Sequence, residues 1–296
     1  MPTLQLQEFN MHYAMQGSGR TPIIFIHGNF SNWQYWESFL QSPLGGYTAY
    51  AVDLRGCGNS GAPESGYDIR TMSHDILLLA DYLKLKKFHL VGHSLGGAIA
   101  QQLAGTVPGR IITLTLVAPA PAEGFSMNLI NTLISRIFPP PKTLRRLNKY
   151  GLKRATLANG LKKSMPSIKK QTALVAQLAD IAYQMDVKAI SGFWETLKEW
   201  TGEQLLTNFT FPVLIIHGDL DPIIKRSPLL KMEKAINNCV LVKWPKIGHA
   251  PQIEAADKFN SLLNDFFKGK AILSTPSLTF VQKLKAFFKT LAQKFK

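Results

Sequence analysis

The chain has 296 residues, a net charge of +15, 46% hydrophobic and 18% charged residues. That balance excludes a disordered or collagen-like chain and suits one large core carrying an inserted segment. Two distant cysteines, Cys57 and Cys239, exclude a disulfide framework and a cysteine metal site, and no run of about 18 apolar residues marks a membrane span. The opening residues MPTLQLQE alternate like an edge strand and lack the basic start and apolar stretch of a signal peptide, so a cytoplasmic location is expected.

Residues 3–60 carry alternating and buried strand patterns joined by turns such as Gln16-Gly-Ser-Gly19. The buried run Ile23-Ile-Phe-Ile26 leads into His27-Gly28-Asn29-Phe30, and Asp53-Leu-Arg55-Gly-Cys-Gly-Asn-Ser60 forms a glycine-rich loop. Helical spacing over 71–83 places Ile76, Leu79, Ala80 and Leu83 on one face. Phe88, Leu90 and Val91 then run into Gly92-His-Ser-Leu-Gly-Gly97, a G-x-S-x-G followed by a helix-forming stretch at 98–103. A serine on a sharp strand-to-helix turn lifts its hydroxyl above the sheet edge, and the helix start behind it offers a free N–H to a developing oxyanion. Residues 111–117 read as another buried strand. Beyond Pro121 helix-like stretches are broken by Pro139-Pro-Pro141, Gly151, Gly160 and Pro166, until strand alternation returns at Phe211.

The run Phe211-Pro-Val-Leu-Ile-Ile-His217-Gly218-Asp219-Leu-Asp221-Pro222 ends a buried strand with two carboxylates, and 240–244 is a short strand before Ile247-Gly-His249-Ala-Pro251. Ser94, an aspartate near 221 and His249 thus each follow a strand's C-terminal end, where parallel α/β sheets place their sites. From about residue 4 to 267 the chain resembles the α/β-hydrolase fold family. The resemblance implies an α/β architecture: a mostly parallel eight-stranded sheet flanked by helices, with an inserted helical lid. It implies Ser94 as nucleophile, His249 as base and Asp221 as the orienting acid, with Asp219 capping the turn and His217 a satisfied core residue. It also implies an oxyanion hole from the backbone N–H groups of Asn29 and Leu95, with His27 bracing that turn and Asp53 and Arg55 pinning loops. The expected divisions are 1–121 and 208–269 for the core, 122–207 for the lid and 270–296 for a tail.

Aromatic residues beside these motifs suggest an apolar acyl or aryl pocket: Phe30, Trp33, Tyr35 and Trp36 after the oxyanion turn, His93 beside the nucleophile, and Phe125, Met127, Phe193 and Trp194 in the lid. The expected reaction is ester hydrolysis through an acyl-enzyme, on a small-molecule substrate, with no metal and no cofactor. Thioester cleavage, perhydrolysis, carbon–carbon bond hydrolysis and ligand sensing without turnover remain open alternatives. A serine at 94 disfavours halide displacement and epoxide opening, which need a carboxylate there.

Residues 125–179 hold eleven lysines and arginines and no acid, and the tail beyond Gly269 adds six lysines and no acid. Val281, Leu284, Phe288, Leu291 and Phe295 form one stripe of a possible tail helix. Both features suit an anionic membrane surface, which would place the protein at a membrane's inner face, whereas nucleic acid is not expected because no binding module is present.

Overall fold

The computed structural model describes residues 2–41, 45–125 and 135–272. Eight strands form one sheet in the order β1-β2-β4-β3-β5-β6-β7-β8. They are β1 Thr3–Gln5, β2 Asn10–Gly17, β3 Thr21–Ile26, β4 Tyr47–Val52, β5 Phe88–His93, β6 Ile111–Val117, β7 Val213–Gly218 and β8 Cys239–Trp244. β2 pairs antiparallel with both β1 and β4; β3 to β8 run parallel to one another.

The apolar runs are continuous because both faces of the sheet are covered. Side chains alternate across a strand, so Ile24 and Ile26 join one hydrophobic cluster while Ile23 and Phe25 join the other. The same split sends Val213 and Ile215 one way and Leu214 and Ile216 the other. Helices α1 Glu37–Gln41, α2 Ile69–Tyr82 and α3 Leu95–Thr106 alternate with the early strands. Asp68 caps α2, its carboxylate accepting the Thr71 N–H at 2.9 Å.

Between β6 and β7 lie α4 Ser135–Ile137, α5 Pro141–Lys149, α6 Lys153–Ser164, α7 Thr172–Gln184 and α8 Val187–Glu199. Each turns an apolar face inward; Leu157 and Leu161 of α6, and Leu178 and Ala182 of α7, are buried in the same cluster as the sheet. Asp186, which caps α8, also donates its backbone N–H to the Gly56 carbonyl at 2.9 Å, tying the insert to the loop after β4. The chain closes with α9 Arg226–Ala235, α10 Pro251–Glu254 and α11 Ala256–Phe267. Among the described residues no helix is long and apolar enough to cross a membrane. The tail stripe from Val281 to Phe295, and Met127, lie outside the described residues.

Candidate active site

Ser94 sits where β5 becomes α3, with φ 52° and ψ −115°. This conformation is uncommon for a residue with a Cβ and carries strain of about 1–3 kcal/mol. It is held from three sides: the Ser94 N–H donates to Val117 O at 3.0 Å, and the Ser94 carbonyl accepts from Gly97 N–H at 2.9 Å and Ala120 N–H at 3.0 Å. Gly96 allows the approach. A Cβ there would stand 2.4 Å from the carbonyl oxygens of both Ile26 and His27.

His249 follows β8 and Asp221 follows β7. His249 Nε2 lies 3.0 Å from Ser94 Oγ, and His249 Nδ1 lies 2.9 Å from Asp221 Oδ2. The other oxygen of Asp221 accepts the N–H groups of Ile223 at 2.8 Å and Ile224 at 3.0 Å. Burial alone would raise this carboxyl. The charge and hydrogen bond of His249, the nearby His217 and the Ile224 N–H outweigh it and hold Asp221 below the usual carboxylate range. Asp219 caps the neighbouring turn by accepting Lys246 N–H at 2.7 Å. His217 is buried, 3.8 Å from Asp221, and its Nε2 donates to Ile224 O at 2.9 Å. Its Nδ1 has no partner among the described residues, so this side chain is only half satisfied.

The turn after β3 faces Ser94. His27 Nε2 accepts the Leu54 N–H at 3.0 Å, which leaves its proton on Nδ1 for the Gly28 carbonyl at 2.7 Å. The Asn29 side chain accepts the Phe30 N–H at 2.8 Å. Among the described residues neither the Asn29 N–H nor the Leu95 N–H has an acceptor. Asp53, fully buried, accepts from the backbone of Trp33 and Asn59 and pairs with His12, and Arg55 grips Asp75 with two 2.8 Å hydrogen bonds. Both residues pin loops and neither lines the site.

A cavity of about 740 Å³, open solvent at its mouth included, ends on Ser94 and His249. Of the residues expected there, Phe30, Tyr35, His93, Phe125 and Trp194 line it, together with Asn29. Trp33, Trp36 and Phe193 do not; Trp36 is buried on the other side of the sheet against Phe25. Trp33 begins the turn Trp33–Trp36 and lines a separate groove with Pro2, Ala14 and Met15. Phe193 is fully buried on α8, edge-on to Tyr67 at 6.0 Å, because successive helix residues point about 100° apart and Trp194 takes the cavity side. Phe138, Leu161, Met165 and Leu197 from the insert also line it. Phe138 stacks on Phe30 with ring centroids 4.8 Å apart, joining the insert to the turn after β3. These four carried no motif; only their apolar character marked them.

His93 stacks on Tyr35, and its Nε2 donates to the His249 carbonyl at 2.9 Å. Burial first, and the neighbouring charge of His249 second, push its pKa down to about 3, so it is a neutral donor across the ordinary pH range. No group of three or more metal-ligating side chains occurs among the described residues.

A sequence profile described as alpha/beta hydrolase fold matches residues 21–256. The chain is 31% identical over 262 residues to the AB hydrolase superfamily protein YisY of Bacillus subtilis (strain 168), covering 84% of this chain and 92% of that one. It is 26% identical over 269 residues to a pimeloyl-[acyl-carrier protein] methyl ester esterase of Pectobacterium atrosepticum, covering 84% and 95%. Against a dihydrolipoyllysine-residue acetyltransferase component of the acetoin cleaving system from Pseudomonas putida, 26% identical, the match covers 86% of this chain but 66% of that longer protein. Among solved structures, the enol-lactonase of Burkholderia xenovorans LB400 superposes with a TM-score of 0.79 at 21% identity, over 90% of this chain and all of that one. The esterase of Exiguobacterium antarcticum gives 0.77 at 22% identity, over 88% and 96%.

Proposed function

The chain belongs to the alpha/beta hydrolase fold family, and on that premise we propose that it is a serine hydrolase cleaving carboxylic esters of apolar acyl groups. The observation that carries the reading is the continuous chain of hydrogen bonds from Asp221 through His249 to Ser94, at 2.9 and 3.0 Å. Ser94 Oγ attacks the ester carbonyl while His249 Nε2 takes its proton. Asp221 fixes the imidazole tautomer and stabilises the imidazolium. The unpartnered N–H groups of Asn29 and Leu95 stabilise the oxyanion, each contributing about 3–4 kcal/mol in comparable sites. His249 then protonates the leaving alcohol, and water repeats the attack on the acyl-enzyme. The insert acts as the lid. Its apolar side chains sort substrates by acyl length, and an acyl methyl ester, the substrate class in the name of the Pectobacterium relative, suits such a pocket.

The test is a p-nitrophenyl ester series from acetate to palmitate, with Ser94→Ala as control and a fluorophosphonate probe for the serine. Hydrolysis and labelling that both vanish in Ser94→Ala are expected. Wild-type protein that neither turns over nor labels would return the reading to ligand sensing.

A second reading concerns location. Arg145, Arg146 and Lys149 on α5 are exposed and form no ion pair among the described residues, and Tyr150 and Leu152 beside them are 69% and 51% exposed. Exposed apolar side chains ringed by cations suit an anionic membrane surface, peripheral and on the cytoplasmic side, where both free cysteines would stay reduced. Sedimentation with phosphatidylglycerol vesicles at low salt tests it; protein left in the supernatant removes it.

A further inference from the structure

The peptide groups around His249 are held from both sides. Its N–H donates to Ser164 O, at the end of α6, at 2.8 Å, and its carbonyl accepts from His93. The flanking N–H groups of Gly248 and Ala250 both donate to one oxygen of Glu254, at 2.9 and 3.2 Å. The other oxygen of Glu254 accepts the N–H of Ser167 at 3.2 Å and its hydroxyl at 2.6 Å. Ser167 belongs to the insert, just past α6, while Glu254 ends α10. One carboxylate therefore bridges the loop of His249 and the insert through four donors, two on each side. The loop lies so close to the insert that a Cβ on Gly248 would stand 2.3 Å from the Ser164 carbonyl. Glu254 lines no part of the cavity and hydrogen-bonds neither Ser94 nor the His249 ring, so its effect on the reaction runs through the loop.

We propose that Glu254 is a positioning residue: by tying the Gly248–Ala250 backbone to Ser167 it fixes the aim of the His249 imidazole at Ser94, and it makes the insert part of the mount of the base as well as the roof of the pocket. The proposal rests on His249 serving as the base. Misplacing a reacting group by about 1 Å costs on the order of 10²-fold in rate, so a mount of this kind has measurable leverage. Gln at 254 keeps an oxygen for Gly248 and Ala250; Ala keeps none.

The experiment compares Glu254→Ala, Glu254→Gln and Ser167→Ala with wild type in two ways. One is kcat and KM on a p-nitrophenyl ester, measured well below each variant's Tm. The other is the Nδ1–H signal of His249 in ¹⁵N-histidine NMR, assigned with His249→Gln, which needs no turnover. Glu254→Ala is expected to lower kcat by roughly 10- to 100-fold, with KM changing less than about twofold and the His249 signal shifted or broadened. Glu254→Gln should recover most of both. Ser167→Ala, an exposed substitution that spares the fold, should lower kcat by about threefold and move the signal in the same direction. The proposal is overturned if Glu254→Ala leaves kcat and the His249 signal at wild-type values, or if Glu254→Gln is as impaired as Glu254→Ala. If Glu254→Ala does not fold, an unchanged signal in Ser167→Ala overturns it. Wild-type protein without esterase activity would sink the hydrolase reading alone, since the NMR comparison still decides the mount.

Discussion

The turn that carries Ser94 and the helices that roof it are neighbours held by different forces. At the turn the backbone itself is the structure: a strained φ, four backbone hydrogen bonds on Ser94, and Gly96 pressed against the carbonyls of Ile26 and His27. The insert is held by side chains, with Leu157, Leu161, Leu178 and Ala182 burying apolar faces while most of its cations stay in water and Lys153 is buried on the Tyr183 carbonyl. Backbone contacts tolerate almost no change, whereas packed helix faces accept any apolar side chain of similar volume. On the proposed function, the first arrangement would fix one chemistry in place and the second would let substrate choice vary over it.

Ser94→Ala is the largest test. Removing the nucleophile should cut ester hydrolysis by at least about 10⁴-fold while leaving Tm near wild type, since the strained backbone is held by groups that alanine keeps. Gly96→Ala reverses that outcome by attacking the fold. A Cβ 2.4 Å from two carbonyl oxygens should cost at the upper end of the ~1–3 kcal/mol seen for overpacking, or more, lowering Tm by several degrees or abolishing soluble expression. Gly151→Ala, at φ 69° with open space around it, supplies the contrast in the insert and should cost only the ~1–2 kcal/mol of left-handed strain. Equal losses at the two glycines, read by thermal melts, would erase the distinction between the regions.

The same difference explains what could be read from the sequence. A strand, a tight turn and a helix start need particular residues, so Gly92 to Gly97, His27 to Asn29, Asp221 and His249 stand out as patterns and come together in space. Pocket walls need only apolar volume. Phe30 and Phe125 were legible by adjacency, but Trp33 turns to another groove and Phe193 into the core, while Phe138, Leu161 and Met165 carry no signal beyond hydrophobicity. Glu254 was equally silent: a carboxylate five residues past His249 reads as an ordinary helical acid until its four donors are seen.

Charge and pocket substitutions in the insert should act on binding, leaving the fold alone. Arg146→Glu with Lys149→Glu removes two contributions of ~1 kcal/mol each near an anionic surface, so partitioning onto phosphatidylglycerol vesicles should weaken roughly thirty-fold or more, with Tm and hydrolysis of soluble esters unchanged. Trp194→Ala, which widens the cavity, should raise KM roughly tenfold for long acyl esters and leave acetate hydrolysis within about threefold. A loss of kcat on every chain length would mean that Trp194 supports the site's geometry as well as its volume.

The smallest effect separates the two regions by pH. Every histidine of the chain lies outside 122–207, and six of the seven are buried, among them His27, His89, His93 and His217. Burial lowers the pKa of all four, His89 to about 4 and His93 to about 3. Unfolded, each would titrate near 6.5. Below that value the unfolded chain binds protons that the native core refuses, so stability is full above about pH 6.5 and falls as the pH drops towards 4. The lowered Asp221 works in the same direction, its contribution fading as the pH falls through its folded pKa. The insert has no histidine, and its lowered carboxylate, Asp180, is held down by the hydrogen bond and charge of Arg154 at the exposed surface. His89→Gln should therefore flatten the fall of Tm between pH 6.5 and 4 by close to one proton's worth of slope, even if the lost contact with Phe267 lowers the whole curve. Hydrogen exchange should show core amides losing protection over that range before those of α6 and α7. If the helices of the insert open first, it is the less stable region in acid despite carrying no histidine, and the pH response of the protein is then set by packing at the roof of the site.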